Sequence, residues 1–171
     1  VFVVVTLQSI VDPTLTPKLI PLTDASHDDV TRSSAAQLIS QAQDPTTQDL
    51  LRALAEDENE KVRLAALQGL ALMNVPDALA RLRAMYTEDG VQPSVRDRIV
   101  QTLARFPQEE SLAVYRAAAT DPLLEPASRF GAVVGLGSVG EEADLALLDE
   151  AGALGGDEDF MNMVAMAKGQ I

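Results

Sequence analysis

One short pattern occurs four times in this chain: an acidic residue, then an arginine with an apolar residue three places on and a larger aliphatic seven places on. Its clearest copy lies in residues 54–70, where Asp57 precedes Arg63, Ala66 and Leu70. The others join Asp24 to Arg32, Ala35 and Ile39; Asp89 to Arg96, Ile99 and Leu103; and Asp121 to Arg129, Ala132 and Leu136. Successive arginines stand 31, 33 and 33 residues apart. A fixed period of this size marks stacked repeats, in which each unit buries its apolar face against its neighbours.

A second residue type keeps the same beat. Pro13, Pro45, Pro76 and Pro107 are separated by 32, 31 and 31 residues. Proline suits the first helical position, where its missing N–H would have no partner and its fixed φ is already helical. Asp12 and Asp44 add an acidic N-cap directly before it. Each period therefore holds two helices: A, opened by the proline, and B, centred on the arginine.

The expected helices cover 28–43, 45–56, 59–73, 76–86, 93–106, 107–120, 125–138, 141–154 and 157–168. Segment 13–23 should be a short, kinked or partly 3₁₀ helix, because Pro17 and Pro21 each remove a hydrogen bond. Five repeats result, at about 13–43, 44–74, 75–106, 107–139 and 140–171, in a single domain. The last departs from the rule, with Gly140 in place of the proline and Asn162 near the arginine's place. A terminal cap and a truncated array both account for it. Residues 1–12 read as the remnant of a preceding helix B, as a short strand, or as the tail of a removed membrane anchor. They are too short to span a bilayer, which takes roughly 20 apolar residues.

Composition narrows the chemistry. The chain is 47% apolar but only 4% aromatic, with no Trp, so its core is built from Ala, Leu, Val and Ile. Without Cys there is no disulfide, thiolate nucleophile or zinc–cysteine site. A net charge of −13 disfavours nucleic acid and anionic lipid, which need clustered Lys and Arg, and makes a basic partner the easier expectation. The single histidine, His27, precedes two acids at a helix start and reads as a solvated loop residue, so it marks no Ser-His-Asp set, and one histidine rules out a multi-histidine metal centre. The acidic runs 56–58 and 157–159 lack the alternating calcium-loop pattern and read as helix caps. The glycines of 133–140 fall at a helix end rather than after a strand, so their likeness to a dinucleotide fingerprint is spurious. No cofactor is expected.

The signatures of ankyrin and tetratricopeptide repeats are missing. The loop aspartate followed by Val-Arg, Ala at three and Leu at seven residues on, best seen in Val62-Arg63-Ala66-Leu70 and Val95-Arg96-Ile99-Leu103, resembles HEAT repeats. More narrowly, it resembles the short HEAT-like form of phycobilisome lyases and many bacterial repeat proteins. The resemblance covers about residues 12–155 and implies an all-α, right-handed α-α superhelix of about five helix pairs. It further implies that the acids and arginines, Asp24/Arg32, Asp57/Arg63, Asp89/Arg96 and Asp121/Arg129, form a structural ladder between neighbouring repeats, and that helix B lines a concave surface. Iron hydroxylases of this kind use repeated His-Glu pairs, which this chain lacks.

Helix geometry then nominates a site. Counting from the arginine at 100° per residue, positions −1, +3 and +7 face the core, so +1, +5 and +8 point away. They hold Ser33, Leu64, Asp97 and Phe130; Gln37, Gln68, Gln101 and Val134; and Ser40, Ala71, Ala104 and Gly137. From these, Gln37, Leu64, Gln68, Asp97, Gln101, Phe130 and Val134 are the candidate partner-binding residues, with Leu64 and Phe130 as apolar anchors. The expected function is a non-catalytic scaffold binding a protein or peptide. The alternatives are a bilin lyase or chaperone-like subunit acting on a chromophore carrier, which the resemblance permits, and nucleic-acid binding, which the charge opposes. The compartment stays open; the cytoplasm is favoured unless residues 1–5 come from an anchor.

Overall fold

A computed structural model describes residues 13–154 and 157–171; the expectations for residues 1–12 lie outside the described residues. Every regular element among the described residues is helical. The α-helices follow one another as five A/B pairs: α1 (Thr16–Leu19) and α2 (Asp29–Ala42), α3 (Gln48–Leu54) and α4 (Glu60–Leu72), α5 (Ala78–Tyr86) and α6 (Pro93–Ala104), α7 (Leu112–Ala119) and α8 (Pro126–Val139), α9 (Leu145–Ala153) and α10 (Glu158–Gln170). The fold is all-α, of the helix-pair type that a HEAT-like solenoid requires. No helix among the described residues is long and apolar enough to cross a membrane.

Local chemistry sets the boundaries. Asp28 caps α2 by accepting from the N–H groups of Val30 and Thr31, Asn59 caps α4, and Asp157 caps α10. The segment over 13–23 is broken into 3₁₀, α and 3₁₀ turns, as its three prolines dictate. The periodic prolines divide into two groups. Pro13 and Pro45 open 3₁₀ turns, whereas Pro76 and Pro107 each lie two residues before the helical element that follows. Pro93 and Pro126, outside that period, occupy the first positions of α6 and α8.

The chain divides into two compact units, Val1–Arg81 and Leu82–Ile171, with the division falling inside α5. In the first, α2 packs along α4, and α3 packs on α4. In the second, α6 and α10 both pack on α8, and α7 lies beneath it. The A-facing stripe of helix B is buried as the pattern demands: Val62, Ala66 and Leu70 in α4, and Val95, Ile99 and Leu103 in α6, are at most 2% exposed. Each of the Val, Leu and Ile side chains among them contributes roughly 1.5–3 kcal/mol on full burial.

Small residues let neighbouring B helices come close. Ser40 Oγ donates to the Ala65 carbonyl at 2.7 Å, and a Cβ on Gly69 would stand 2.4 Å from that hydroxyl. In the second unit, a Cβ on Gly137 would lie 2.9 Å from Ala167. The contact repeats in register, with position +8 of one helix B against position +6 of the next. By the same register, buried Phe160 and Val164 put Met161 rather than Asn162 at the arginine's place in α10.

Candidate functional site

Helix B presents a narrower outward face than one-sided helix geometry suggests. Of the three positions expected to face away, +8 is enclosed: Ser40, Ala71 and Gly137 are buried and Ala104 is half-buried. Position +1 is divided. Leu64 is fully buried and Asp97 is 7% exposed, so neither is a surface residue; Ser33 and Phe130 are half-buried. Within each unit a helix B packs against a neighbouring helix B as well as against helix A. Subtracting only the helix-A stripe therefore overstates the free surface.

Position +5 is reachable. Gln37, Gln68 and Val134 are half-buried and Gln101 is exposed. Two further positions complete the outward strip, −2 and +9, which share the +5 side of the helix. They are Val30 and Gln41 on α2, Lys61 and Leu72 on α4, Ser94 on α6 and Arg105 at its C-cap, and Ala127 and Ser138 on α8. All are exposed except Leu72, which is half-buried, and Val30 is 74% exposed. None of the strip residues on these four helices is a carboxylate, although the chain carries 26 acids. The i, i+7, i+11 spacing from Val30, Lys61, Ser94 and Ala127 is visible in the sequence once a neighbouring helix B is counted.

Asp97 joins two repeats, accepting the backbone N–H of Glu125 in the following one at 2.9 Å. Gln101 donates from Nε2 to the buried Ser128 Oγ at 3.2 Å, so its amide is partly held by the neighbouring helix start. Phe130 stacks obliquely with Phe160, ring centres 6.5 Å apart, which ties it to α10.

The acids and arginines behave individually. Arg32 Nη2 forms an ion pair with Asp57 of the following repeat, their side chains only 13% and 10% exposed. Arg63 donates from Nη1 to the carbonyls of Asp57 and Glu58, both at 3.0 Å, stitching the loop before its own helix. Arg96 and Arg129 lie over the Tyr86 and Phe160 rings, 5.7 and 5.8 Å from their centres. Their Nε atoms are buried with no hydrogen-bond partner among the described residues. Asp24, Asp57 and Asp121 each accept the backbone N–H two residues on, shaping the turn before helix B. Asp89 is exposed.

Helix A carries an ionic connection that the arginine pattern does not mark. Arg116 donates from Nε and Nη2 to the two carboxylate oxygens of buried Asp144 at 2.6 and 3.0 Å, and from Nη2 to Glu141 at 3.1 Å. The Arg116 guanidinium, aided by the Glu141 backbone N–H, holds the Asp144 carboxyl below the usual aspartate range. One repeat earlier, Arg83 reaches Gln108 at 3.1 Å and Ser111 at 3.5 Å with the same offsets of 25 and 28 residues. The signal is present in the sequence: Arg83 and Arg116, like Ser111 and Asp144, are 33 residues apart.

Among the described residues no group of three or more His, Cys, Asp or Glu side chains converges as a metal would need. No curated protein matches the chain. The family model described as HEAT repeats matches residues 16–93, just under half of the sequence. That description does not extend to the narrower lyase-type form, and the match supports a HEAT-like repeat family for this chain.

Proposed function

We propose that this chain is a non-catalytic scaffold that binds a protein or peptide on the outward faces of the B helices within its units. HEAT repeats generally serve as protein-interaction scaffolds, and the fold is of that type. The observation that carries the reading is the composition of the strip. In a chain of net charge −13, the positions −2, +5 and +9 of four successive B helices hold glutamines, small polar residues, aliphatics, one lysine and one arginine, with no carboxylate. The net charge alone suggests a basic partner; the strip asks instead for one that offers amide hydrogen bonds and aliphatic contact.

The test is capture from source-cell extract with wild type and two variants, Gln37→Glu/Leu72→Glu in the first unit and Gln101→Glu/Val134→Glu in the second, each matched to wild type by circular dichroism. A protein retained by wild type and lost by at least one variant supports the strip as the binding surface. Equal retention by all three, or retention of nothing by wild type, contradicts it.

A further inference from the structure

The four acids of the repeat pattern all lie in the turn before a helix B, yet they are held differently. Asp24, Asp57 and Asp121 accept the backbone N–H groups of Ser26, Asn59 and Leu123 at 2.9 Å, and Asp57 also pairs with Arg32. Asp89 is exposed, and its carboxylate has no hydrogen-bond or ion-pair partner among the described residues. The residue that follows differs too: Ala25, Glu58 and Pro122 in three copies, Gly90 in the fourth. Asp89-Gly90 is the one Asp-Gly step in the sequence, and Asn-Gly does not occur. Gly90 is exposed at φ 80°, and a Cβ built on it would meet nothing within 4 Å.

This combination suits one reaction of the chain with itself. A carboxylate that already accepts an N–H must give up that bond before its carbon can turn toward the next peptide nitrogen, and Asp89 has no such bond to break. Glycine has no side chain to block the approach to its nitrogen, and its backbone reaches conformations closed to other residues. At Asp121 the same route is shut, because Pro122 has no N–H to give up.

We infer that Asp89-Gly90 is a site of spontaneous isomerisation, at which Asp89 converts to isoaspartate through a succinimide. The Gly90 nitrogen bonds to Cγ of Asp89, and one carboxyl oxygen leaves as water with the carboxyl proton and the amide proton. Water then opens the five-membered ring. Attack at Cγ restores aspartate; attack at the backbone carbonyl carbon breaks its bond to the Gly90 nitrogen and leaves the main chain running through Cγ. One water is released and one consumed, so no oxidant or reductant is needed. The product keeps its charge but adds one methylene to the main chain, in the turn where Arg96 Nη2 donates to the Glu88 carbonyl at 3.5 Å. The approach to α6 therefore lengthens as the molecule ages.

The test compares wild type with Glu58→Gly, which sets the same glycine after the held Asp57. Both are matched by circular dichroism and melting temperature, then incubated for weeks in mildly acidic buffer, with and without urea. Isoaspartate is located by peptide mapping with electron-transfer fragmentation. In folded wild type, residue 89 should carry more isoaspartate than residues 24, 57 and 121 together. In folded Glu58→Gly, Asp57 should lag Asp89 several-fold, and in urea the two should react alike. An unmodified Asp89 in folded wild type overturns the inference. Equal conversion at residues 57 and 89 in the folded variant overturns it as well, because the unheld carboxylate would then confer nothing.

Discussion

The two units solve the same stacking problem with different chemistry. In the first, the repeats are joined on helix B by the largely buried ion pair between Arg32 and Asp57. There the buried polar residue at the start of helix A, Thr47, bonds within its own turn, to the Asp44 carbonyl at 2.7 Å. The first unit has a helix-A ion pair as well, Arg81 with the exposed Glu56 at 2.7 Å. In the second unit, however, the buried carboxylate lies at the start of helix A, where Arg116 holds Asp144 and Arg83 reaches Ser111, while Arg96 and Arg129 on helix B rest on aromatic rings. A shared repeat pattern thus dictates the fold of each pair without dictating what joins pair to pair. What decides is the residue that the following repeat offers: a carboxylate for Arg32 and Arg116, a ring of Phe160 for Arg129.

The sharpest way to break this contrast is to remove the acid from each ionic link. Asp57→Ala leaves the Arg32 guanidinium mostly buried without its partner and opens the turn at Asn59, so it should cost about 3 kcal/mol, measured by urea unfolding. Asp144→Ala should cost less, about 2 kcal/mol, because Arg116 is 40% exposed and water can replace part of the lost contact. If the two costs came out in the reverse order, the helix-B link would not be the dominant one in its unit.

The pH dependence sharpens the same pair. Arg116 lowers the Asp144 pKa in the folded state, so the native chain holds its proton less tightly than the unfolded one. The contribution is whole above the ordinary aspartate value of about 3.9 and is lost as pH falls below it through the lowered folded value. The stability of Asp144→Asn should therefore lie below wild type at pH 7 and approach it as pH falls below the ordinary aspartate value. Parallel curves for the two proteins would detach Asp144 from acid unfolding.

Smaller effects test the aromatic contacts. Phe160→Leu removes the ring from under Arg129 and leaves unfilled volume at a residue 3% exposed, a loss of about 1.5 kcal/mol. The smallest expected change is a gain. Gln43 ends α2 at φ 50°, a left-handed conformation that suits glycine, so Gln43→Gly should raise stability by about 0.5–1 kcal/mol.

Much of this architecture can be read from residue spacing. The arginine period locates the first four pairs and its interval the fifth, because a helix that must bury one side shows its 3.6-residue rhythm in the sequence. The outward strip is harder to read. Leu64 and Asp97 occupy positions that helix geometry calls external, yet both are enclosed, and at Asp97 it is the following repeat that covers the side chain. The helix-A connection escapes a pattern search because its members differ from repeat to repeat: Gln108 and Ser111 in one, Glu141 and Asp144 in the next. Nor does an arginine's sequence context reveal whether a carboxylate or a ring awaits it, since Asp57 and Phe160 each lie about one repeat beyond the arginine they meet while Tyr86 precedes Arg96 within the same repeat.

The most direct test of the narrow outward strip uses the absence of native cysteine. Single cysteines are introduced at Gln68, Leu72, Leu64 and Ala71 of α4, and their rates of reaction with a maleimide are compared under native conditions. A strip narrowed by stacking predicts rapid labelling at Gln68→Cys and Leu72→Cys, and labelling at Leu64→Cys and Ala71→Cys only as fast as the chain opens. Comparable rates at all four positions would contradict it, because helix B would then present a broad outward face rather than a narrow strip.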